Sequence, residues 1–241
     1  MEKFINVINP IRKQENVVNP AQKIIQEAES IKIEKQDRNK EGFLLASDGT
    51  ISHYQNELYW KLIKTESFKK WFTDSVAVYE DNKEPLIVFH STLKREFVGS
   101  NLKFNEDADD WRSFGIYFSS SKEATINYYK TQYEDDINRF ERFLNRESDE
   151  KELILLDKEK YMRENEDQVK TFDAFVKIQK PLELVDHQQL MEISRAGFSR
   201  QELLSKHDGI IVKYDSDFCN QYIVFKEENI LVVPSEIDQS K

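Results

Sequence analysis

Short apolar segments that begin near residue 76 constrain the fold of this chain more than any other feature. They are rich in β-branched and aromatic residues and are bounded by turn-forming or charged residues, which is typical of β-strands. The predicted strands cover residues 76–79, 86–90, 114–119, 209–214, 221–225 and 230–233, together with a strand-rich stretch at 171–184 that is interrupted at Lys180-Pro181. So many short strands predict that a sheet dominates the second part of the chain.

Helical segments precede and interrupt these strands. A partial apolar stripe over residues 20–35 and a run of aromatic and aliphatic residues over 54–73 predict helices ahead of the first strand. Further helices are predicted at residues 122–131, in much of the charged stretch 134–171, and at 190–195 and 201–206. We therefore predict an α+β protein with a helical N-terminal extension at residues 1–75 and a mainly β domain, carrying helical insertions, at residues 76–236.

Composition and charge exclude several classes of protein. The chain has 241 residues, of which 39% are hydrophobic, so it can bury a substantial core. A net charge of −10 argues against non-specific binding to nucleic acid, whose phosphates it would repel. One cysteine, Cys219, excludes a disulfide framework and fits a reducing cytosol. No apolar run approaches the roughly 20 residues of a membrane span, so we expect a cytoplasmic protein without a membrane partner.

Metal binding is not predicted. His53, His187 and His207 have no second histidine three or four residues away, and a Cys-rich zinc site needs more than one cysteine. The chain also lacks the glycine-rich loop that holds phosphates in kinases and P-loop enzymes.

Three of the predicted strands carry polar side chains that suggest a ligand site. His90, followed by Ser91 and Thr92, ends the strand Leu-Ile-Val-Phe-His; Tyr117 lies within Phe-Gly-Ile-Tyr-Phe-Ser; and Gln221 opens Gln-Tyr-Ile-Val-Phe. Each has an ordinary structural explanation by itself, because a histidine often ends a strand, a tyrosine is often core and a glutamine often faces solvent. Their combination in this order favours a functional site.

The predicted helix after the second of these segments adds two more candidates. Thr125 and Tyr128 follow Tyr117 by eight and eleven residues. As an alternative, Tyr128 and Ala124 belong to the buried stripe of an amphipathic helix.

These segments together resemble the active site of ADP-ribosyltransferases of the His-Tyr-Glu type, the class that includes diphtheria toxin and the poly-ADP-ribose polymerases. The resemblance covers about residues 55–235, and the segments at 68–75 and 208–212 look like those of phage and mobile-element members. It implies a split, mixed or antiparallel β-sheet core, NAD as co-substrate and no metal. It also implies release of nicotinamide and a macromolecular target, usually a protein, in the cytosol of a bacterial host.

The resemblance also implies roles for individual residues. His90 would hydrogen-bond the adenosine ribose, and the backbone of Ser91, in the segment completed by Thr92, would hold the nicotinamide amide. Tyr117 and Tyr128 would flank the nicotinamide ring, which is favoured by apolar contact and by attraction between an aromatic face and a pyridinium. Thr125 matches a small hydroxyl residue that bonds the same amide.

Two positions depart from the family pattern. Ser91 stands where the family has glycine, which is tolerated if Ser91 keeps a negative φ. Gln221 stands where the family has the catalytic glutamate. An amide keeps a carbonyl acceptor that can orient the ribose, but it lacks the charge that stabilises an oxocarbenium-like transition state.

Three interpretations of a glutamine at position 221 remain open. The chain is a slower or more selective mono-ADP-ribosyltransferase, which we favour, or another carboxylate replaces the missing one, or the site binds NAD or ADP-ribose without turnover. An NAD glycohydrolase is a further alternative, and a nucleic-acid acceptor stays open. The acidic residues nearest in sequence to the candidate site are Glu123, Asp215, Asp217, Glu227 and Glu228.

Overall fold

The chain folds around one β-sheet with helices packed against it. The computed structural model describes residues 20–93, 114–145, 151–165, 169–198, 200–214 and 219–233. The helices in these residues are α1 (Pro20–Ser30), α2 (Glu57–Lys64), α3 (Glu66–Phe72), α4 (Lys122–Leu144), α5 (Lys151–Asn165), α6 (His187–Arg195) and α7 (Arg200–Leu204). The strands are β1 (Ile87–Leu93), β2 (Ile116–Ser119), β3 (Val169–Val176), β4 (Pro181–Leu184), β5 (Gly209–Val212), β6 (Gln221–Val224) and β7 (Ile230–Val232).

The sheet is mixed, and its strand order is β4-β5-β6-β2-β1-β3-β7. β4 and β5 are parallel, and every other pair of neighbours is antiparallel. The predicted combination of N-terminal helices, a mixed sheet and helical insertions is confirmed, since α4 and α5 lie between β2 and β3 in the chain.

β1 and β2 are connected by fewer register pairs than any other two neighbouring strands of the sheet. Where the sequence predicted a split sheet, the described strands are joined into one, but a single register pair, Phe89 with Ser119, connects these two strands. By contrast, seven register pairs connect β1 to β3. The sheet therefore keeps few main-chain hydrogen bonds at the place where two of the predicted site segments meet.

One predicted strand, residues 76–79, is absent from the sheet. This segment forms only an isolated bridge between Val78 and Pro85. The chain turns back on itself there, because the main-chain N–H of Tyr79 donates to the carbonyl of Glu84, and Lys83 has a φ of 58°. The turn itself covers residues 80–82, and the segment before it bonds locally across the turn and, through the N–H of Val76, to the carbonyl of Ile178 at 2.7 Å, so it adds no strand to the sheet.

Strand register divides the sheet into two faces. Successive residues of a strand point to opposite faces. The register aligns Asp173, Phe89, Ser119, Gln221 and Val212 in one row across five strands, on what we call the front face. The other side is the back face.

Three hydrophobic clusters stabilise this arrangement. At one end of the front face, α1–α3 pack on β1, β3 and β7 around Phe68 and Phe175, so residues on both sides of the predicted domain boundary share one cluster. At the other end, α6 and α7 pack on β4, β5 and β6 around Leu190 and Ile223. The back face has its own cluster, which includes Phe118. The helix α4 contacts the strands between the two ends of the front face.

We expect Gly115→Ala to destabilise the fold by about 1–3 kcal/mol, as overpacking of a tight site does. Gly115 precedes β2, and a Cβ added there would lie 2.4 Å from the carbonyl oxygen of Val224 on β6. The backbone of β2 would have to move, because a main-chain oxygen cannot rotate away. Urea unfolding monitored by circular dichroism measures the loss, and an unchanged midpoint would contradict the close approach of β2 and β6.

Candidate functional site

Gln221 begins β6 in the middle of the front face. It pairs with Ser119 on β2 and with Val212 on β5. Its side-chain oxygen Oε1 is buried and has no hydrogen-bond partner among the described residues. Buried side-chain oxygens are normally paired, and an unpaired one costs about 1–3 kcal/mol. This oxygen is therefore well placed to accept a hydrogen bond from a bound molecule.

A hydroxyl cluster lies on the same face, two strand spacings from Gln221, or about 10 Å. Tyr117 and Ser91, each two residues from a member of the front row, also point to this face. Ser91 is 1% exposed, and its Oγ donates to Oγ1 of Thr125 at 2.8 Å. Because that bond uses the only Ser91 hydroxyl proton, the contact of 3.0 Å with Thr171 Oγ1 has Thr171 as its donor. Ser91 thus joins β1 to both α4 and β3.

The same contacts explain how serine replaces glycine at position 91. Among the described residues, the non-glycine residues with positive φ are Asp74 and Lys83. Ser91 therefore lies in ordinary extended backbone, and its side chain is used for packing α4 rather than obstructing the strand.

His90 lies on the other side of β1 from Ser91. Its Nδ1 is 2.7 Å from the carbonyl oxygen of Tyr117, and its ring packs at 5.6 Å from Phe118. A carbonyl only accepts, so Nδ1 is the donor in this contact. This side-chain bond crosses the β1–β2 junction where the main-chain ladder has one register pair. Thr92 lies on the same side of β1 as His90, opposite Lys170 of β3.

The first turn of α4 is tied to the end of β2. Ser121 caps the helix by accepting from the N–H of Ala124 at 3.2 Å, and Ser119 Oγ accepts from the N–H of Ser121 at 3.1 Å. Thr125 Oγ1 donates to the carbonyl of Lys122 at 2.8 Å. These bonds set the position of the helix relative to the sheet.

Tyr128 follows Thr125 on the same side of α4, since residues three apart are neighbours on a helix. Its ring is 57% exposed and packs edge-on against Tyr129 at 5.4 Å between centroids. The alternative in which Tyr128 is a buried core residue is wrong. An exposed aromatic face beside a hydroxyl cluster can stack on a planar ligand.

The structure places three of the acidic residues suggested as substitutes for a glutamate at position 221. Glu227 and Glu228 belong to a short helical turn beyond the far end of β6, about 10 Å or more from Gln221 at a rise of about 3.3 Å per residue. Glu123 is exposed in the first turn of α4, near Ser119. Asp215 and Asp217 lie outside the described residues.

A different carboxylate, Asp173 of β3, was missed by sequence reasoning. It lies in the front row, its side chain is 18% exposed, and it contacts Lys122 of α4 at 3.2 Å and the hydroxyl of Tyr59 at 2.7 Å. Three strand spacings separate it from Gln221, or about 14 Å. Asp173 and Gln221 therefore act on different parts of the molecule. In the sequence, the only signal that could have drawn attention to Asp173 is its position within a segment predicted to be buried.

Tyr214 was also missed. It lies two residues beyond Val212, the β5 partner of Gln221. Burial raises the pKa of its phenol, and the nearby Asp186 acts in the same direction. A phenol is neutral at pH 7 with or without this shift, so Tyr214 can donate a hydrogen bond there.

Comparison with known proteins does not identify the chain. No family model matches it, and neither a curated protein nor a solved structure does. In the described part of the chain, no three His, Cys, Asp or Glu side chains are grouped as a metal site would require. No described helix is long and apolar enough to cross a bilayer.

Proposed function

We propose that this chain is an NAD-dependent mono-ADP-ribosyltransferase that modifies a macromolecular target, a protein in the first instance, and releases nicotinamide. The observation that carries the proposal is the buried, unpartnered Oε1 of Gln221 on the same sheet face as Tyr117. The resemblance of the three strand segments to His-Tyr-Glu ADP-ribosyltransferases supplies the chemistry. By the same resemblance, we propose a phage or mobile-element effector that acts in the bacterial cytosol.

In the proposed reaction, the bond between the nicotinamide nitrogen and C1′ of its ribose breaks, and the electron pair leaves with nicotinamide. A new bond forms between C1′ and a nucleophilic atom of the target, whose proton passes to solvent. Positive charge develops on the ribose between these events. A neutral amide stabilises that charge less than a carboxylate does, so slow turnover is part of the proposal.

In this proposal each site residue contacts a different part of NAD. Oε1 of Gln221 would accept from a ribose hydroxyl on the front face. By the resemblance, His90, whose side chain lies on the opposite face of the sheet from Gln221, would hydrogen-bond the adenosine ribose. Tyr117 and Tyr128 would flank the nicotinamide ring. The backbone of Ser91 would hold the nicotinamide amide, close to the β1–β2 junction where the ladder is reduced to one register pair.

A second candidate function is binding of NAD or ADP-ribose without turnover. It is favoured by the absence of charge at Gln221 and by the position of Glu227 and Glu228 beyond the far end of β6. An NAD glycohydrolase would use the same site with water as the acceptor.

Labelled NAD incubated with the protein and a bacterial lysate distinguishes these functions. We expect a labelled macromolecule and free nicotinamide with the wild-type chain, and a loss of at least about tenfold in both with His90→Ala or Tyr117→Ala, since each loses a hydrogen bond or a ring contact to the ligand. Tyr161→Phe is the control, because Tyr161 bonds Asp136 between α5 and the middle of α4.

Each alternative has its own signature in this assay. Release of nicotinamide without a labelled product would indicate a glycohydrolase. Tight NAD binding, measured by calorimetry, with neither product would contradict the transferase and support the binding protein.

A further inference from the structure

We propose that Asp173 is a positioning residue that couples the N-terminal helices to α4 and so holds the ligand-binding side chains of α4 in place. This inference rests on the proposed function, because it assigns a task to Asp173 within the same NAD site. It concerns a side chain three strands away from Gln221, and it gives the N-terminal helices a part in ligand binding.

The contacts of Asp173 join three separate parts of the chain. Its Oδ2 accepts from the hydroxyl of Tyr59 on α2 at 2.7 Å, and its Oδ1 lies 3.2 Å from Nζ of Lys122 on α4. Its own main-chain carbonyl accepts from the N–H of Val233, just after β7, at 2.8 Å. The Asp173 side chain is 18% exposed and its bond to Tyr59 is partly shielded from water, whereas the side chain of Lys122 is 52% exposed. Hydrogen bonds to a charged group are stronger than neutral ones, and shielding strengthens them further.

Lys122 transmits this contact to the ligand-binding part of α4. It is the first residue of the helix, and its ammonium also lies 5.8 Å from the centroid of the Phe89 ring on β1. Its main-chain carbonyl accepts from the hydroxyl of Thr125, which in turn accepts from Ser91. Tyr128 lies one turn further along the same side. A displacement of Lys122 would therefore move both residues that α4 brings to the proposed site.

Tyr59 brings the N-terminal helices into the same chain of contacts. It belongs to α2, and its ring is packed against the cluster that α1–α3 share with β1, β3 and β7. The bond from Tyr59 to Asp173 spans 114 residues of sequence. The helices before the sheet thus act on the site through one carboxylate, in addition to covering one end of the front face.

The test combines a structural and a functional measurement on the full chain. Tyr59→Phe removes only the hydroxyl that bonds Asp173, Asp173→Asn removes the charge that attracts Lys122, and Lys122→Met keeps the length of the side chain without its charge. Amide hydrogen exchange of residues 119–128 reports how readily the first turns of α4 open. Calorimetry with a carbocyclic NAD analogue, which cannot lose nicotinamide, reports binding without turnover.

We expect all three variants to exchange faster at residues 119–128 and to bind the analogue about three- to tenfold more weakly, since a tenfold change corresponds to the loss of one modest contact. Tyr161→Phe is the matched control for Tyr59→Phe, because it removes a similar tyrosine–aspartate bond of 2.6 Å between α5 and α4. Lys213→Met is the control for Lys122→Met, because Lys213 forms an exposed ion pair with Glu183. Both controls should leave exchange at 119–128 and analogue binding unchanged.

The outcomes separate this inference from the proposed function. Unchanged exchange in Tyr59→Phe and Asp173→Asn overturns the coupling, whatever happens to binding. Faster exchange with unchanged affinity shows that Asp173 supports the fold but does not position the site, which also overturns the inference. If the wild-type chain does not bind the analogue, then the proposed function fails and the role of Asp173 in NAD binding fails with it.

Discussion

Gln221→Glu is expected to raise the rate of nicotinamide release from NAD by about 100- to 1,000-fold, the usual effect of one electrostatic contact to a developing charge. The side chain keeps its shape and its acceptor, and the change adds only a negative charge at the buried position of Oε1. Burial raises the pKa of a carboxyl group, so the rate should increase with pH as this glutamate ionises. Nicotinamide measured by chromatography over a range of pH values gives both results.

The control for this prediction is Gln132→Glu. Gln132 is exposed on α4, so the substitution adds the same charge away from the candidate site. Its rate should equal that of the wild type. An unchanged rate in Gln221→Glu would show that this side chain does not face the ribose, even if NAD binds elsewhere in the protein.

Phe175→Ala is expected to lower the free energy of unfolding by about 3–5 kcal/mol, as truncation of a buried phenylalanine does. Phe175 is fully buried on β3, and its ring lies edge-on to Phe68 of α3 at 5.0 Å and to Tyr54 at 5.9 Å between centroids. The substitution opens a cavity between the N-terminal helices and the sheet. Equilibrium unfolding in urea, followed by tryptophan fluorescence and by circular dichroism, measures the loss.

Trp60 and Trp71 lie on the N-terminal helices, and the third tryptophan, Trp111, lies outside the described residues. In a Trp111→Phe background, fluorescence therefore reports these helices while circular dichroism reports the whole chain. We expect the two signals to change together. Phe43→Ala is the control, since Phe43 is 46% exposed and its truncation should change the free energy of unfolding little. Separate transitions for the two signals would contradict a common core between the helices and the sheet.

Much of the secondary structure was predictable because it depends on local patterns. Apolar segments of four to six residues identified five of the seven strands within a few residues at their ends, and the strand-rich stretch 171–184, with its interruption at Lys180-Pro181, covered the other two, β3 and β4. The segment at 76–79 has the same composition, but its bonds run mainly to residues 84–86 across the turn at 80–82, and it does not join the sheet. Helices were predicted at 122–131 and in much of 134–171, but α4 runs without a break from Lys122 to Leu144, and its distal, charged part is supported by α5.

Local patterns also selected the central strands of the sheet as the candidate site. Residues on β1, β2 and β6 were singled out from sequence, and these three strands are neighbours in the sheet. The pairing of Tyr117 with Ile223 and of Ser119 with Gln221 then places Tyr117 and Gln221 on one face. That outcome agrees with the period of two along each strand, which a sequence shows directly.

The chain's sequence alone determined which segments are strands and helices and which polar residues interrupt their apolar pattern, because these are properties of residues close together along the chain. Tertiary structure decided that His90 bonds across the β1–β2 junction, that Glu227 and Glu228 lie beyond the far end of β6, and that Asp173 joins Tyr59 to Lys122. These relations depend on strand order and on contacts between residues far apart in sequence. No local propensity encodes them, since each arises only when the sheet brings distant segments together.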